Sequence, residues 1–424
     1  MLVSIENLGK ISKCNIKLNG ITVIAGSNNT GKSTIGEVLS TFFIELNNMD
    51  NKFRLYQRRE LRRLVISLYR EYSPKKSIDP DIELLSKYIS DLINSNITVD
   101  NFLDKINQEY SIQNYDLKET KKQIFEVLNA KKEEIASYRL LSAYENNLNG
   151  KTRSVYTNEN AKINIIIKKE NNDIEFLRDE AYEINIRTHV NNSAIYINNP
   201  FCFDKINRMI SLSSLSYFEK DLLLKLRNKN EDDSSNEEEL SLNGNPLIEM
   251  RTRNLLDAVY EKMNIVLPGK IIFSEKYVYQ TPNGKEIDIA SLSTGIKSFA
   301  IIKKLLESNQ LKEKDVLVLD EPEIHLHPEW IIIYAEMIVL LQKTFNLTLL
   351  ITTHNSTFLD AIDFFSDKHG TRKYCNYYLS QNDENNEQLV HFEDVTNNID
   401  KIFKKLVTPD MTLVKMRENF ENDK

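Results

Sequence analysis

The sequence predicts an α/β fold, in which a mixed central sheet is flanked by helices and carries a mostly helical insertion. The chain opens with short apolar β-type runs separated by turn residues, at 2–5, 14–18 and 21–25. From residue 298 onward, helical and β-type segments alternate, which is typical of parallel strands with helices on their faces. Residues from about 50 to 150 are instead charged and helical in pattern.

The helical insertion has one apolar stripe. Its apolar residues recur at the spacing of a helix face, at Leu61, Leu64, Val65, Leu68, Tyr69 and Tyr72. Breaks at Pro74 and Pro80, and the absence of sustained heptads, argue against a long coiled coil. We therefore expect a mostly helical insertion that does not form a long coiled coil.

The chain then returns to β-strands before the last alternating segment. Further β-type runs lie at 163–167, 174–177, 184–186, 194–197, 270–273, 277–281 and 286–289. Residues 230–239 are acidic and lack apolar side chains, which predicts a solvated loop, and 247–267 has a helical pattern. The run 316–319 is wholly apolar, as expected of a buried parallel strand, and 347–351 is a further β-type run.

Composition narrows the class of protein. The 424 residues include 55 Lys and Arg and 62 Asp and Glu, a net charge of −7, which excludes a globally basic nucleic-acid coat protein. The most apolar stretch, 330–341, is too short to cross a bilayer and contains Glu336. The three cysteines lie far apart and fit neither a disulfide framework nor a zinc site. With no export signal in the opening residues, we expect a cytoplasmic protein without a membrane partner.

Residues 26–33, Gly-Ser-Asn-Asn-Thr-Gly-Lys-Ser, match the phosphate-loop pattern GxxxxGK[ST] between an apolar strand and a helix. Small residues allow consecutive backbone N–H groups to form an anion site, and the helix N-terminus faces the same phosphates. Lys32 would reach the β- and γ-phosphates, and the Ser33 hydroxyl would ligate Mg²⁺. We therefore predict ATP and Mg²⁺ as cofactors, with binding residues Gly26, Ser27, Asn28, Asn29, Thr30, Gly31, Lys32, Ser33 and Thr34.

A second nucleotide signal lies far downstream, where the apolar run 316–319 ends in Asp320 and Glu321. A buried parallel strand with two carboxylates at its carboxyl end has the form of a Walker B element. Asp320 would hold Mg²⁺ through water, and Glu321 would orient and deprotonate the attacking water. Together with the phosphate loop, this pattern indicates a site for nucleotide hydrolysis.

Two further patterns flank that strand. Residues 292–295, Leu-Ser-Thr-Gly, open a helix before it, and His354 ends the next apolar strand after it. Taken alone, the first is a helix N-cap with a permissive glycine, and the second is a polar strand-end residue. Their order relative to the phosphate loop and the carboxylates favours a role in the site.

This order of motifs resembles that of the ABC-type ATPases. The resemblance implies that Ser293 and Gly295 bind the γ-phosphate of a nucleotide held by another subunit, and that His354 senses it within one subunit. It further implies that Glu321 and His354 are catalytic, and that Ser33 and Asp320 bind the metal. One copy of each half-site per chain predicts a head-to-head homodimer or a higher oligomer.

Residues 320–330, Asp-Glu-Pro-Glu-Ile-His-Leu-His-Pro-Glu-Trp, narrow the resemblance to the SMC/RecF-like and OLD-type ABC ATPases of bacteria. ABC transporters usually carry a subunit-crossing D-loop aspartate at the position of His327. We therefore favour contacts across a dimer over metal ligation for His325 and His327. The resemblance implies an anti-phage defence ATPase that controls a separate effector, a nuclease or a toxin. A DNA-repair or chromosome-maintenance ATPase and a nucleotide-dependent scaffold with little turnover are the alternatives.

The resemblance also sets the expected segments of the chain. They are the N-terminal lobe of an ATPase head (1–48), a helical insertion (49–160), head strands with a candidate Q-loop (161–213), a helical segment (214–268) and the C-terminal lobe (269–424). The nearest Q-loop candidate is Asn198-Asn199, which follow the β-type run 194–197 and precede Pro200. The tail after His354 is too short for a Toprim nuclease domain and holds no DxD element, so we expect no nuclease in this chain.

Basic residues crowd the start of the insertion. Arg59, Arg62, Arg63 and Arg70 fall opposite its apolar stripe. They could contact nucleic-acid phosphates without reading bases, which keeps DNA as a candidate partner. The simpler interpretation is a solvated helix face neutralised by acidic residues elsewhere in the insertion.

Overall fold

The computed structural model describes residues 1–73, 81–112, 115–148, 150, 152–177, 182–208, 211–227, 246–273, 275–384 and 386–422. The chain divides into a smaller unit, Glu45–Leu141, and a larger unit formed by Met1–Ile44 with Ser142–Lys424. The predicted acidic loop 230–239 lies outside the described residues. Within the described ranges, no helix is both long and apolar enough to cross a membrane.

The larger unit is built on a mixed sheet, which confirms the predicted fold class. The strands are β1 (Leu2–Leu8), β2 (Ile11–Lys17), β3 (Ile21–Ala25), β4 (Ala161–Ile167), β5 (Glu170–Phe176), β6 (Tyr182–Asn185), β7 (Ala194–Ile197), β8 (Lys270–Phe273), β9 (Tyr277–Gln280), β10 (Glu286–Asp288), β11 (Val316–Asp320), β12 (Thr348–Thr353), β13 (Cys375–Asn382) and β14 (Val390–Asp394). Eleven of these described strands form one sheet in the order β6-β5-β4-β1-β2-β14-β13-β3-β12-β11-β7. The other three form a small antiparallel sheet in the order β10-β9-β8.

The centre of the large sheet is parallel, from β13 through β3, β12 and β11 to β7. Ala25 of β3 pairs with Thr353 of β12, and Thr352 pairs with Asp320 of β11. All five residues of β3 are buried, because helices cover both faces of a parallel sheet. This register brings the carboxyl ends of β3, β12 and β11 to one edge of the sheet.

The helices are α1 (Lys32–Leu46), α2 (Met49–Tyr72), α3 (Ile82–Ile93), α4 (Val99–Tyr110), α5 (Leu117–Leu128), α6 (Lys132–Asn147), α7 (Tyr217–Leu226), α8 (Pro246–Val266), α9 (Thr294–Glu307), α10 (Pro328–Phe345), α11 (Ser356–Lys368) and α12 (Asp400–Asn422). In the larger unit, Phe299 of α9, Tyr334 of α10 and Phe358 of α11 are fully buried in one apolar core. Phe299 and Tyr334 make an edge-to-face contact at 5.1 Å between ring centroids. The same core includes Val23, Leu317 and Ile351 of the central strands, so these helices pack on the sheet.

The smaller unit has an apolar core of its own, built from α2 to α5. Leu61, Val65 and Tyr69 of the predicted stripe are buried there, against Phe102 of α4 and Ile124 of α5. Side chains cap the helices, since Asp81 accepts hydrogen bonds from backbone N–H groups of α3, Thr98 from α4 and Asp116 from α5. The unit ends at Leu141, before the expected boundary at residue 160, because α6 continues into the larger unit.

Phe102→Ala should destabilise the smaller unit, because the fully buried ring leaves a cavity among helix side chains. We expect the free energy of unfolding to fall by about 3–5 kcal/mol. Urea unfolding followed by circular dichroism measures this loss. Phe125→Ala is the matched control, since that ring lies in the same unit and is 49% exposed. Equal losses for the two variants would contradict the assignment of this core.

Candidate functional site

The phosphate loop connects β3 to α1 at the carboxyl edge of the parallel strands. Its backbone has positive φ angles at Gly26 (149°), Asn29 (62°) and Gly31 (83°), which glycine and asparagine adopt more readily than other residues. A Cβ atom on Gly26 would lie 1.8 Å from the Ser380 hydroxyl of β13. The loop therefore requires glycine at this position for both its conformation and its packing.

Lys32 lies at the first residue of α1, with its ammonium folded over the loop. Its Nζ donates hydrogen bonds to the carbonyl oxygens of Gly26 at 3.0 Å and Ser27 at 2.8 Å. The Thr30 hydroxyl donates to the same Ser27 carbonyl at 2.9 Å. Lys32 is 4% exposed and also lies 3.4 Å from Oε1 of Glu321. The lysine is thus positioned between the loop and the carboxyl end of β11.

Three hydroxyl groups surround the Asp320 carboxylate at the end of β11. Ser33 donates to its Oδ1 at 3.1 Å, Tyr196 of β7 donates to its Oδ2 at 3.0 Å, and the Thr352 hydroxyl also donates to Oδ1. Burial, together with the negative charge of Asp320, raises the pKa of Tyr196 well above its ordinary value. Tyr196 therefore stays protonated at neutral pH and fixes the orientation of Asp320.

Glu321 has a left-handed backbone, with φ of 48°, as the chain turns away from the strand. Its backbone N–H donates to the carbonyl oxygen of Thr352 at 3.1 Å, which ties this turn to β12. Its Oε1 lies 3.4 Å from both Lys32 Nζ and His354 Nδ1. The structure thus brings together the predicted residues Lys32, Ser33, Asp320, Glu321 and His354.

A cavity of about 570 Å³ lies over the phosphate loop and Glu321. Lys10 of the β1–β2 turn, and Arg153 and Tyr156 from the segment before β4, also line it. Sequence reasoning missed these residues, as it missed Tyr196 and Thr352. Lys10, Arg153 and Tyr156 belong to no recognisable motif. Tyr196 and Thr352 could have been identified as polar residues within otherwise apolar strands.

The predicted signature residues lie elsewhere in the larger unit. Ser293 is exposed at the N-cap of α9, and its side chain makes no capping hydrogen bond. A Cβ atom on Gly295 would lie 2.8 Å from the His325 carbonyl oxygen, so the signature packs against the segment after β11. Among the hydrogen bonds and ion pairs of the described residues, none joins Ser293 or Gly295 to the phosphate loop. The signature therefore makes no polar contact of this kind with the phosphate loop of its own chain.

The remaining candidates have local contacts. Asn199 Oδ1 accepts from the Phe201 backbone N–H at 2.9 Å and caps a short 3₁₀ helix, whereas Asn198 is exposed. The exposed His325 ring lies 5.4 Å from that of Phe201, between centroids, and His327 is the N-cap of α10. The Q-loop and D-loop roles of these residues stay predictions.

Comparisons with known proteins identify a matching family and several similar solved structures. The family described as "AAA domain, putative AbiEii toxin, Type IV TA system" matches residues 21–360, well over half of the chain. Among solved structures, the chain is similar to the SMC head domain from Thermotoga maritima, with 11% identity, a TM-score of 0.39, and coverage of 93% of this chain and 98% of that one. It is also similar to an Smc head bound to the C-winged helix domain of ScpA, with 10% identity, a TM-score of 0.42, and 93% and 96% coverage. A third similar structure is the Smc head domain with an extended coiled coil bound to the C-terminal domain of ScpA from Pyrococcus furiosus, with 10% identity, a TM-score of 0.40, and 96% and 98% coverage.

Gly26→Ala should abolish the geometry of the phosphate loop, because Ala would be strained at φ of 149° and would clash with Ser380. Strain and clash of about 1–3 kcal/mol correspond to a roughly 5- to 150-fold loss of nucleoside triphosphate affinity. Isothermal titration calorimetry measures this loss. Gly284→Ala is the control, since its φ is +76° but no atom lies within 4 Å of its Cβ position. Unchanged affinity in Gly26→Ala would refute the assigned loop.

Proposed function

The chain belongs to the AAA-domain family that matches its residues 21–360 and is therefore a P-loop ATPase, and we propose that ATP operates it as a switch in a nucleotide-sandwich homodimer. The family membership confirms the predicted nucleotide binding and ATP hydrolysis. The contact of Glu321 with both Lys32 and His354, at 3.4 Å each, is the single observation that carries the proposed mechanism. It places a carboxylate, an ammonium and an imidazole at one point beside the phosphate loop.

The residues at the end of β11 suit Mg²⁺. Ser33 Oγ and Asp320 Oδ1 lie 3.1 Å apart, and hard oxygen ligands of this kind are those that Mg²⁺ prefers. These two residues would hold the ion, and Tyr196 and Thr352 would orient Asp320. When bound, Mg²⁺ neutralises charge on the phosphates during transfer.

Each remaining residue has one task in this proposal. The backbone N–H groups of residues 26–33 bind the phosphates, and Lys32 neutralises the β- and γ-phosphates. Glu321 orients the attacking water and accepts its proton, because its carboxylate lines the cavity over the phosphate loop. His354 senses the γ-phosphate, since its imidazole contacts Glu321 directly.

Separation of the two half-sites within one chain supports the dimer. Ser293 is exposed at the N-cap of α9, and its hydroxyl makes no capping hydrogen bond. The phosphate loop instead contacts Lys32 and, through Ser33, Asp320 of the same chain. A second copy in head-to-head orientation would supply its Ser293 and Gly295 to the γ-phosphate. Each nucleotide would then lie between Lys32 of one protomer and Ser293 of the other.

Glu321→Gln should trap this dimer, because the amide keeps the shape of the side chain but accepts no proton from water. We expect turnover to fall roughly 100-fold or more, with ATP affinity retained. Size-exclusion chromatography with light scattering should show an ATP-dependent dimer, and the Glu321→Gln/Ser293→Arg double variant should stay monomeric. A Glu321→Gln protein that remains monomeric at saturating ATP would overturn the proposed dimer. Near-zero turnover in both wild type and Glu321→Gln would instead support the scaffold alternative.

We place this switch in bacterial anti-phage defence, as an OLD-like sensor ATPase that controls a separate toxin or nuclease. The family description, which names a toxin of a type IV toxin–antitoxin system, supports a toxin-related role. The exposed His325 and His327 lie in the same segment as Glu321 and offer a surface for such an effector. An effector that co-purifies with Glu321→Gln in ATP, and is released in ADP, would support this role. Unchanged phage sensitivity on deletion of the chain would contradict it.

A second candidate function is direct action on DNA, as in the RecF/SMC-type alternative. The exposed side of α2 carries arginines at 59, 63 and 70, and these line a surface cavity of about 660 Å³ together with Arg62, Ser67 and Glu71. Glu60 lies 4.0 Å from Arg63, and both side chains are solvent-accessible, so this pair is weak. Along a helix these arginines span about 16 Å, which suits successive phosphates of a nucleic-acid backbone.

Reversing Arg59, Arg62 and Arg63 to Glu should weaken binding to a duplex of about 30 base pairs by roughly 10- to 100-fold, and lower its salt dependence. Fluorescence anisotropy at several salt concentrations measures both effects. Lys87, Lys118 and Lys122 reversed to Glu form the matched control, since they are exposed on the same unit and change the net charge equally. Equal losses in the two triple variants would mean that overall charge, not the α2 face, governs binding.

A further inference from the structure

Glu323 is a buried carboxylate that the proposed mechanism does not use. It lies two residues after Glu321, in the segment that the sequence singles out as Asp-Glu-Pro-Glu. The side chain is 3% exposed, and a carboxylate is rarely buried to this extent unless specific groups hold it. We propose that Glu323 is a positioning residue, which fixes His354 against Glu321.

The side chain of Glu323 accepts hydrogen bonds from the end of β12. Oε1 accepts from the Thr353 hydroxyl and from the backbone N–H of His354, the latter at 3.4 Å. Thr353 Oγ1 in turn accepts from the Asn355 backbone N–H at 3.0 Å. One carboxylate oxygen therefore holds the residue before His354 and the backbone of His354 itself.

Backbone hydrogen bonds also connect the segment that carries Glu323 to Glu321. The Ile324 backbone N–H donates to the Glu321 carbonyl oxygen at 3.3 Å, and Leu326 N–H donates to that of Glu323 at 3.0 Å. Glu323 therefore connects the turn of Glu321 to the end of β12. Because the His354 ring and the Glu321 carboxylate come from these two segments, the link sets their 3.4 Å separation.

The second carboxylate oxygen of Glu323 indicates that this side chain has a role beyond packing. Glu323 Oε2 is buried and has no hydrogen-bond partner. An unpaired buried oxygen lowers stability, and an apolar residue of the same shape would avoid that cost. Burial also raises the pKa of the Glu323 carboxyl, which the Thr353 hydroxyl opposes. The side chain is thus suited to accept hydrogen bonds from Thr353 and His354, at the expense of stability.

A double-mutant cycle tests this inference, which rests on the proposed role of His354. We expect Glu323→Ala to lower kcat by roughly 10- to 100-fold with KM for ATP within about threefold, since a misplaced group affects turnover more than binding. In a His354→Ala background the same change should cost less than about twofold. The inference would be overturned if the losses of kcat in Glu323→Ala and His354→Ala multiplied in the double variant. It would also be overturned if His354→Ala kept the turnover of the wild type.

Three further variants separate positioning from general damage. Glu323→Gln should keep at least about half of the turnover, because its amide oxygen accepts the same two bonds. Thr353→Val should lower kcat and show the same non-additivity with His354→Ala, which keeps the inference testable if Glu323→Ala does not fold. Glu336→Gln is the matched control, since Glu336 is 6% exposed in the same unit and pairs with Lys262 and Lys368. Its turnover should change less than about twofold.

A Glu323→Gln loss as large as that of Glu323→Ala would show that the negative charge matters, not the accepted hydrogen bonds. A Glu336→Gln loss as large as that of Glu323→Ala would show a general effect of buried carboxylates. Both outcomes would overturn the inference. Failure of Glu321→Gln to dimerise would instead overturn the proposed dimer. The double-mutant cycle could still be interpreted in that case, because it measures turnover per chain.

Discussion

The candidate site depends on the pairing of β3, β12 and β11 as neighbouring parallel strands. Parallel neighbours end at the same edge of a sheet, so the phosphate loop after β3 meets the carboxylates at the end of β11, with β12 between them. A one-residue slip of β12 would turn Thr352 to the opposite face and remove its hydrogen bond to Asp320. The apolar side chains that bury these strands therefore also set the geometry of the polar groups at their ends.

The same constraint extends to the back of the phosphate loop. Ser380 of β13 is fully buried against Gly26, and its carbonyl oxygen accepts a hydrogen bond from Lys405 of α12. Burial and the nearby charge of Lys32 lower the pKa of Lys405. The loop is thus held from behind by residues far away in the sequence, and its conformation does not depend on glycine content alone.

Local patterns were sufficient to predict part of this arrangement. The phosphate loop, the Asp320-Glu321 pair and His354 each follow an apolar strand, and the structure brings their side chains together. The apolar stripe of α2 could be predicted because its period is a property of one helix. By contrast, Tyr196 and Thr352 contact Asp320 only through the strand order β12-β11-β7, which periodicity does not encode. Lys10 and Tyr156 reach the cavity from turns without any motif, and only the folded chain shows their proximity.

The lack of a side chain at Gly295 has a consequence for how the parts of the site move. Because the His325 carbonyl oxygen would lie 2.8 Å from a Cβ atom on Gly295, the start of α9 and the segment after β11 pack directly against each other. Glu323 ties that segment to the end of β12. In the proposed dimer, Ser293 would face the nucleotide of the partner while Glu321 faces its own. A shift at either nucleotide would then reach the other through the packed backbone at Gly295 and the Glu323 side chain.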